Sequence, residues 1–214
     1  MKQPFSNTGY KVKQKRQLDH WAAILEEWIL ATERYCRVCG GNDAPYFYTE
    51  QANVGLLSAA VWRSGGISLT EFQSLKGAKH RPKWGGRVDL WLHLGDTEQM
   101  LEAKLLNISM HANREINDVI AQKMTEALKD AKATRGNSKA DALGAVFVIP
   151  RIAVSRVGSL EEQIEAFIEN ILLENNYHAA AWCFPKEMRY DLEDPFEDGY
   201  LYPGVMMLLW NEKY

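Results

Sequence analysis

Two acids and a lysine in the middle of this 214-residue chain have the types and spacing to do chemistry. Asp89 lies within Gly86-Arg87-Val88-Asp89-Leu90-Trp91, and Glu102-Ala103-Lys104 follows with 12 residues between the two acids. Side chains alternate along a strand, so Glu102 and Lys104 project from one face while Leu101, Ala103 and Leu105 take the other. If the pairing register brings Asp89 to the first face, two carboxylates and an ammonium converge at a sheet edge. Two carboxylate oxygens at short range are what a hard divalent cation such as Mg²⁺ needs, with waters completing its octahedron. A nearby lysine can orient an attacking water and help deprotonate it, while the metal stabilises charge building on a phosphate.

Apolar periodicity supplies the elements that must hold these groups. Leu18, Trp21, Leu25, Trp28, Ile29 and Tyr35 follow helical spacing, and Gly40-Gly41 stops that helix. A second helix is predicted over about 49–63 and a short strand over about 67–72. Val88, Leu90, Leu92 and Leu94 alternate with Asp89, Trp91 and His93, which is strand periodicity. Gly95-Asp96 marks a turn, and a partner strand over about 99–106 completes an antiparallel hairpin. Ile116, Val119, Ile120, Met124, Ala127, Leu128 and Ala131 form one stripe of the next helix. The run Leu143 to Ile149, closed by Pro150, reads as a buried strand. Leu160, Ile164, Phe167, Ile168, Ile171 and Leu172 mark another helix, and two later strands, about 179–184 and 205–210, flank an acidic loop at 187–202. The order helix, strand, strand, strand, helix, strand predicts an α/β fold with a central mixed sheet flanked by helices. Residues 1–16 read as a loose basic arm, and 17–214 as a single domain.

Composition narrows the classes. Hydrophobic residues at 46% and charged residues at 25% are ordinary for a soluble globular chain. No apolar run approaches the roughly 20 residues that span a bilayer, and no signal peptide is visible. Three cysteines make no disulfide framework, which points to a reducing, cytoplasmic setting. The net charge of −3 is unevenly spread: residues 1–158 carry 22 basic against 16 acidic side chains, and residues 159–214 carry 3 against 12. A mildly basic body with an acidic tail suits a polyanion-binding face, although solvated helix faces give the same count.

Just before the Asp89 strand come Lys76, Lys79, His80, Arg81, Lys83 and Arg87, with no acid between Glu71 and Asp89. Gly77, Pro82, Gly85 and Gly86 give this stretch the composition of a loop. It is either a phosphate track leading to the acids or an ordinary solvated loop. Trp84 within it could stack on a base, but packing is the expectation. Cys36-Arg37-Val38-Cys39 resembles half of a zinc knuckle that Cys183 and His178 could complete only by folding back, so reduced cysteines are expected in place of structural zinc. His93 shares a strand face with Asp89, with packing again the simpler role. No serine-hydrolase or phosphate-cradling glycine motif is present.

Taken together, Asp89 on one strand of a hairpin and Glu102-Ala103-Lys104 on the next resemble the signature of the PD-(D/E)xK, or restriction-endonuclease-like, nuclease superfamily. That family commonly carries a glutamate on a preceding helix. Glu50 matches it and shares a stripe with Val54, Leu57 and Val61. No proline precedes Asp89, Val88 standing there instead, but the proline is a weak part of the signature. The resemblance covers about residues 49–149. It implies the αβββαβ order of that fold and a Mg²⁺-dependent nuclease, with Mn²⁺ able to substitute, hydrolysing phosphodiester bonds in nucleic acid, expected to be DNA, in restriction, defence or repair. Asp89, Glu102, the Ala103 carbonyl and Glu50 are the implied metal set, and Lys104 positions the water. Gln122 and Lys123 resemble residues that some members aim at the site or the DNA backbone. Many members dimerise, so a homodimer is a further expectation. The main alternative is a catalytically inactive nucleic-acid-binding or assembly protein that keeps the fold.

Overall fold

The structure, a computed structural model, describes residues 7–13, 18–76, 84–111, 115–135, 140–189 and 199–211, without the side chains of residues 74–76, 84, 115 and 135. In chain order the elements are β1 (Thr8–Val12), α1 (Trp21–Val38), α2 (Glu50–Arg63), β2 (Ile67–Lys76), β3 (Trp84–Leu94), β4 (Thr97–Ser109), α3 (Glu115–Arg135), β5 (Asp141–Ala153), α4 (Leu160–Glu174), β6 (Ala179–Cys183), β7 (Tyr200–Leu201) and β8 (Val205–Asn211). The strands form one mixed sheet in the order β1-β6-β8-β5-β4-β3-β2, with β7 beside the end of β5. β4 and β5 are parallel and are joined by the crossover helix α3, whereas the other pairs are antiparallel. The chain is therefore α/β, with a mixed central sheet between helices. Among the described residues no helix is long and apolar enough to cross a membrane.

Alternation along the strands sorts the core into two layers. Leu143, Ala145 and Phe147 of β5 join Leu90, Leu92, Leu101 and Ala103 under α1 and α2, around Trp21, Trp28, Leu57 and Val61. The intervening Val146 and Val148 join Leu106, Ile108, Met206 and Leu208 under α3 and α4, around Ile120, Met124, Ile164 and Phe167. At roughly 25 cal/mol per Å² of apolar surface removed from water, these two layers are the main term holding the sheet between its helices. Gly40 (φ +61°) and Gly41 (φ +83°) end α1 in the left-handed conformation that glycine takes without strain.

Three expectations change. Residues 8–12 are no loose arm: β1 pairs with β6 from Thr8–Cys183 to Val12–Ala179. An outermost strand held by main-chain hydrogen bonds needs little apolar alternation, and Lys11 on such an edge discourages further pairing. β5 runs through Pro150 to Ala153, because its ladder with β8 has ended at Val148–Met206 and the missing N–H costs nothing there. The basic stretch is partly ladder. β2 and β3 pair from Ile67–His93 out to Lys76–Trp84, so Gly85, Gly86 and Arg87 lie in a strand opposite Leu75, Ser74 and Gln73. Lys79, Arg81 and Lys83 fall outside the described residues.

Two backbone features set the shape around β4. Glu71 of β2 has φ +55°, although Thr70 faces Leu90 before it and Phe72 faces Val88 after it in unchanged register. The left-handed residue kinks the ribbon directly opposite Asp89. Gly144 of β5 faces Glu102 of β4, and a Cβ there would lie 3.1 Å from the backbone nitrogen of Leu128 and 3.3 Å from Cβ of Ala127. Its missing side chain lets α3 seat closely on the sheet.

Left-handed backbone costs a non-glycine residue about 1–2 kcal/mol. Glu71→Gly is therefore expected to be more stable than Glu71→Ala, which loses the same carboxylate but keeps the strain, by about 1 kcal/mol in urea unfolding. Equal midpoints would show that the kink is unstrained. Gly144→Ala, which presses a methyl onto helix backbone, should cost about 1–3 kcal/mol in the same measurement; an unchanged midpoint would mean α3 yields freely.

Candidate functional site

The β3–β4 ladder runs from Leu94–Thr97 to Leu90–Leu101 and stops. Beyond that pair β3 continues with β2 alone as a two-stranded ribbon, while β4 continues with β5 alone to Ser109–Arg151. The sheet forks, and Asp89 and Glu102 are the first residues on the two arms. Parting leaves the main-chain donors along this edge of β4 without strand partners, and buried backbone N–H groups require partners. Carboxylates take them. Asp89 Oδ2 accepts the N–H of Ala103 at 2.7 Å, and Glu50, in the first turn of α2, accepts the N–H of Leu105. Thr49 caps that helix by accepting the N–H of Ala52, and an acid in a first turn also meets the positive end of the helix dipole.

Glu102 is 3% exposed and points toward α3, where the Thr134 hydroxyl donates to its Oε1. Lys104, two residues on, points the same way and pairs with Asp130, Nζ to Oδ2 2.7 Å. Asp89, Glu102, Lys104 and Glu50 are thus brought together at the fork, close enough for their charges to act on one another. Burial raises the Glu50 carboxyl above its ordinary range; Lys104 opposes that, Asp89 and Glu102 reinforce it, and the Leu105 N–H offsets part. For Lys104, burial works most strongly against the charge, but the hydrogen bond and charge of Asp130, with Glu50 and Asp89 behind, outweigh it and hold the ammonium above its ordinary value. A lysine so held is positively charged at neutral pH. Its use is a fixed positive charge with hydrogen bonds to donate.

The donors present suit a hard divalent cation. Three carboxylates offer oxygen atoms of the kind such a cation binds, and burial first, with the charges of Asp89 and Glu102 adding to it, pushes Glu50 toward its neutral form. An extended residue also sends its N–H and C=O to the same edge, which turns the Ala103 carbonyl into the fork. Among the described residues no three His, Cys, Asp or Glu side chains are already gathered around one point as a metal would gather them; the carboxylates close on protein donors instead.

The other candidates stand further off. Arg87 lies on the ribbon, 67% exposed and paired with Glu71 at 3.2 Å, beside a cleft of about 500 Å³ lined by Gln73, Gly85, Gly86 and Arg87. Lys76 is at the far end of the ribbon ladder. Gln122 is exposed and Lys123 pairs with Glu126 at 2.7 Å. The structure does not bring these two to the fork, because α3 runs opposite to β4. Its C-terminal turns reach Glu102 and Lys104, and seven residues separate Lys123 from Asp130, about 10 Å along the helix. His93 stacks obliquely on Trp91, ring centroids 6.3 Å apart. The three cysteines are free, and burial, with Glu187, Cys39 and Asp43 adding, pushes the Cys36 thiol up to about 12. His178 Nδ1 accepts the N–H of Asn211 at 3.0 Å. Asp130 and Thr134 were not foreseen. Thr134 does continue the stripe Ile120, Met124, Ala127, Ala131, and a hydroxyl on a buried stripe signals a polar partner.

Comparison of the chain with protein-family models, with curated proteins and with solved structures returned no match.

A raised carboxyl in the folded state destabilises it when ionised. That penalty is fully present above the folded value and is relieved as pH falls through it toward the ordinary glutamate range of about 4 to 5. Glu50→Gln, which keeps an oxygen for the Leu105 N–H, should accordingly be more stable than the parent at pH 7 without divalent cations, with the gap closing as the solution is acidified to about pH 4. Denaturation at several pH values reads this directly, and a Gln variant less stable at pH 7 would contradict it.

Proposed function

We propose that this chain is a Mg²⁺-dependent nuclease of the PD-(D/E)xK, restriction-endonuclease-like kind, hydrolysing phosphodiester bonds in nucleic acid, with DNA as substrate. One observation carries the reading: Asp89, Glu102, Lys104 and Glu50 come from three separate elements and lie near enough, where β3 leaves β4, for their charges to act on Glu50. The order α2-β2-β3-β4-α3-β5 supports it, since this is the αβββαβ sequence of that fold.

In this reading Asp89, Glu102 and Glu50 hold the cation, with the Ala103 carbonyl as a further oxygen. Bound Mg²⁺ supplies Lewis-acid stabilisation of charge on the phosphate and lowers the pKa of a coordinated water. Lys104 remains an ammonium throughout, donating to the attacking water or to a phosphate oxygen and countering the charge that grows there. Arg87 and Lys76 on the ribbon, together with Lys79, Arg81 and Lys83 of the same basic stretch of sequence, attract and align the phosphate backbone.

The deep burial of Glu102 favours one rival, a protein that keeps the fold and binds nucleic acid without cleaving it. Incubating supercoiled plasmid and single-stranded oligonucleotide with the protein in Mg²⁺ or in EDTA separates the two. Mg²⁺-dependent cleavage is expected, reduced about 100-fold or more in Asp89→Asn and Lys104→Ala. Cleavage by Lys104→Ala at the parent rate would remove the proposed site, and intact substrates with the parent protein would favour the rival.

A further inference from the structure

The residues of the nuclease signature lie on α2, β3 and β4, yet two of them are held from a fourth element. We propose that α3 is the positioning element of this site, with Thr134 orienting the Glu102 carboxylate and Asp130 orienting the Lys104 ammonium. The inference rests on the nuclease reading and adds two residues to it.

The fit is geometric. Residues i and i+2 of a strand share a face about 6.7 Å apart, and residues i and i+4 of a helix share a face about 6 Å apart. Because α3 runs opposite to β4, the pair Glu102 and Lys104 meets the pair Thr134 and Asp130 in register, each strand residue opposite its own helix partner. Gly144 makes the approach possible. It is the β5 neighbour of Glu102, and its missing Cβ gives the room in which the backbone of Ala127 and Leu128 lies.

Both target side chains need such help. The terminal torsion of a glutamate is broad, so even a buried carboxylate is not aimed by its own rotamer, and a hydroxyl donor fixes one oxygen. A hydroxyl adds no charge, so Glu102 keeps its anionic pull on a cation. Lys104 carries its ammonium on a flexible four-carbon stem, and the Asp130 carboxylate at 2.7 Å ties the end of that stem to the helix. Neither helix residue is assigned contact with metal or substrate; both act through β4.

Removal of outer partners of metal ligands commonly costs about 10–100-fold in metal affinity or activity. The test uses the full chain as parent, Thr134→Val, Thr134→Ser and Asp130→Asn, with folding checked by circular dichroism. Mn²⁺ binding is titrated by electron paramagnetic resonance without substrate, and kcat and KM for oligonucleotide cleavage are measured separately in saturating Mg²⁺. Thr134→Val, which keeps the shape and loses the hydroxyl, should weaken Mn²⁺ binding about 10–100-fold, and Thr134→Ser should restore most of it. Asp130→Asn, at a side chain 45% exposed and so tolerant of substitution, should lower kcat about 10-fold or more with little change in KM. The inference is overturned if Thr134→Val binds Mn²⁺ like the parent, or if Thr134→Ser is as impaired as Thr134→Val. Should Thr134→Val fail to fold, an unchanged kcat in Asp130→Asn overturns it. A parent that binds no Mn²⁺ defeats the nuclease reading along with this one. A parent that binds and cleaves while the α3 variants match it defeats this inference alone.

Discussion

Where two strands of a sheet part, their facing N–H and C=O groups lose their partners, and everything at this site follows from how one such parting is resolved. After Leu90–Leu101 the β3 and β4 ladders separate, and leaving a buried donor unmade costs about 1–3 kcal/mol. Asp89 and Glu50 meet that requirement from two directions, one from the departing strand and one from a helix end, by accepting from Ala103 and Leu105. The acids are thus structural before they are chemical. They are held at the fork because the fork needs acceptors, and holding them there concentrates negative charge in a partly buried place.

That concentration sets the electrostatics. Asp89, Glu50 and Glu102, with Asp130 behind them, lie near Lys104: burial raises the Glu50 carboxyl, with Lys104 opposing and Asp89 and Glu102 adding, while Asp130, Glu50 and Asp89 outweigh burial and hold the lysine charged. Backbone N–H groups and the Thr134 hydroxyl offset part of the repulsion by donating to the carboxylates. What they cannot supply is a compact positive charge. In the proposed nuclease, a divalent cation with oxygen preference would relieve the remaining repulsion.

The sequence made the parts of this arrangement legible and left their meeting point unread. Alternation at Val88, Leu90 and Leu92 placed Asp89 on the opposite strand face, and Glu102-Ala103-Lys104 declared two polar side chains on one side of β4. Glu50, on a stripe with Val54, Leu57 and Val61, announced a charge turned inward, and those three apolar residues are indeed buried. Where the β3–β4 ladder ends is a different matter, because each arm looks equally strand-like and the break depends on which neighbour each one keeps. Thr8–Val12 was missed for a related reason: its partner is more than 160 residues away and its side chains stay half exposed. Gly85 and Gly86 misled because glycine marks turns more often than ladders, although a ladder tolerates it when the opposite strand is continuous. The α3 partners of Glu102 and Lys104 needed the packing of a helix on the sheet, which local pattern only hints at through a hydroxyl at Thr134.

If the proposed nuclease reading holds, a polyanion approaching these acids meets repulsion first, so attraction and reaction would be carried by different groups. The attractive charge is on the ribbon: Arg87 stands exposed two residues from Asp89 along β3, and Lys76 lies further out on the facing strand. β3 therefore links a cationic arm to an acidic fork within one continuous strand. The kink at Glu71 falls at the junction between them, and the Glu71 carboxylate is the one that pairs with Arg87. The ribbon's direction and the position of its nearest cation are thus set at the same residue, directly opposite Asp89. In the proposed nuclease, an arm anchored in this way would bring a phosphate backbone to the fork at a defined approach, and the fork, with its charged lysine and carboxylates, would hold the cation and the water.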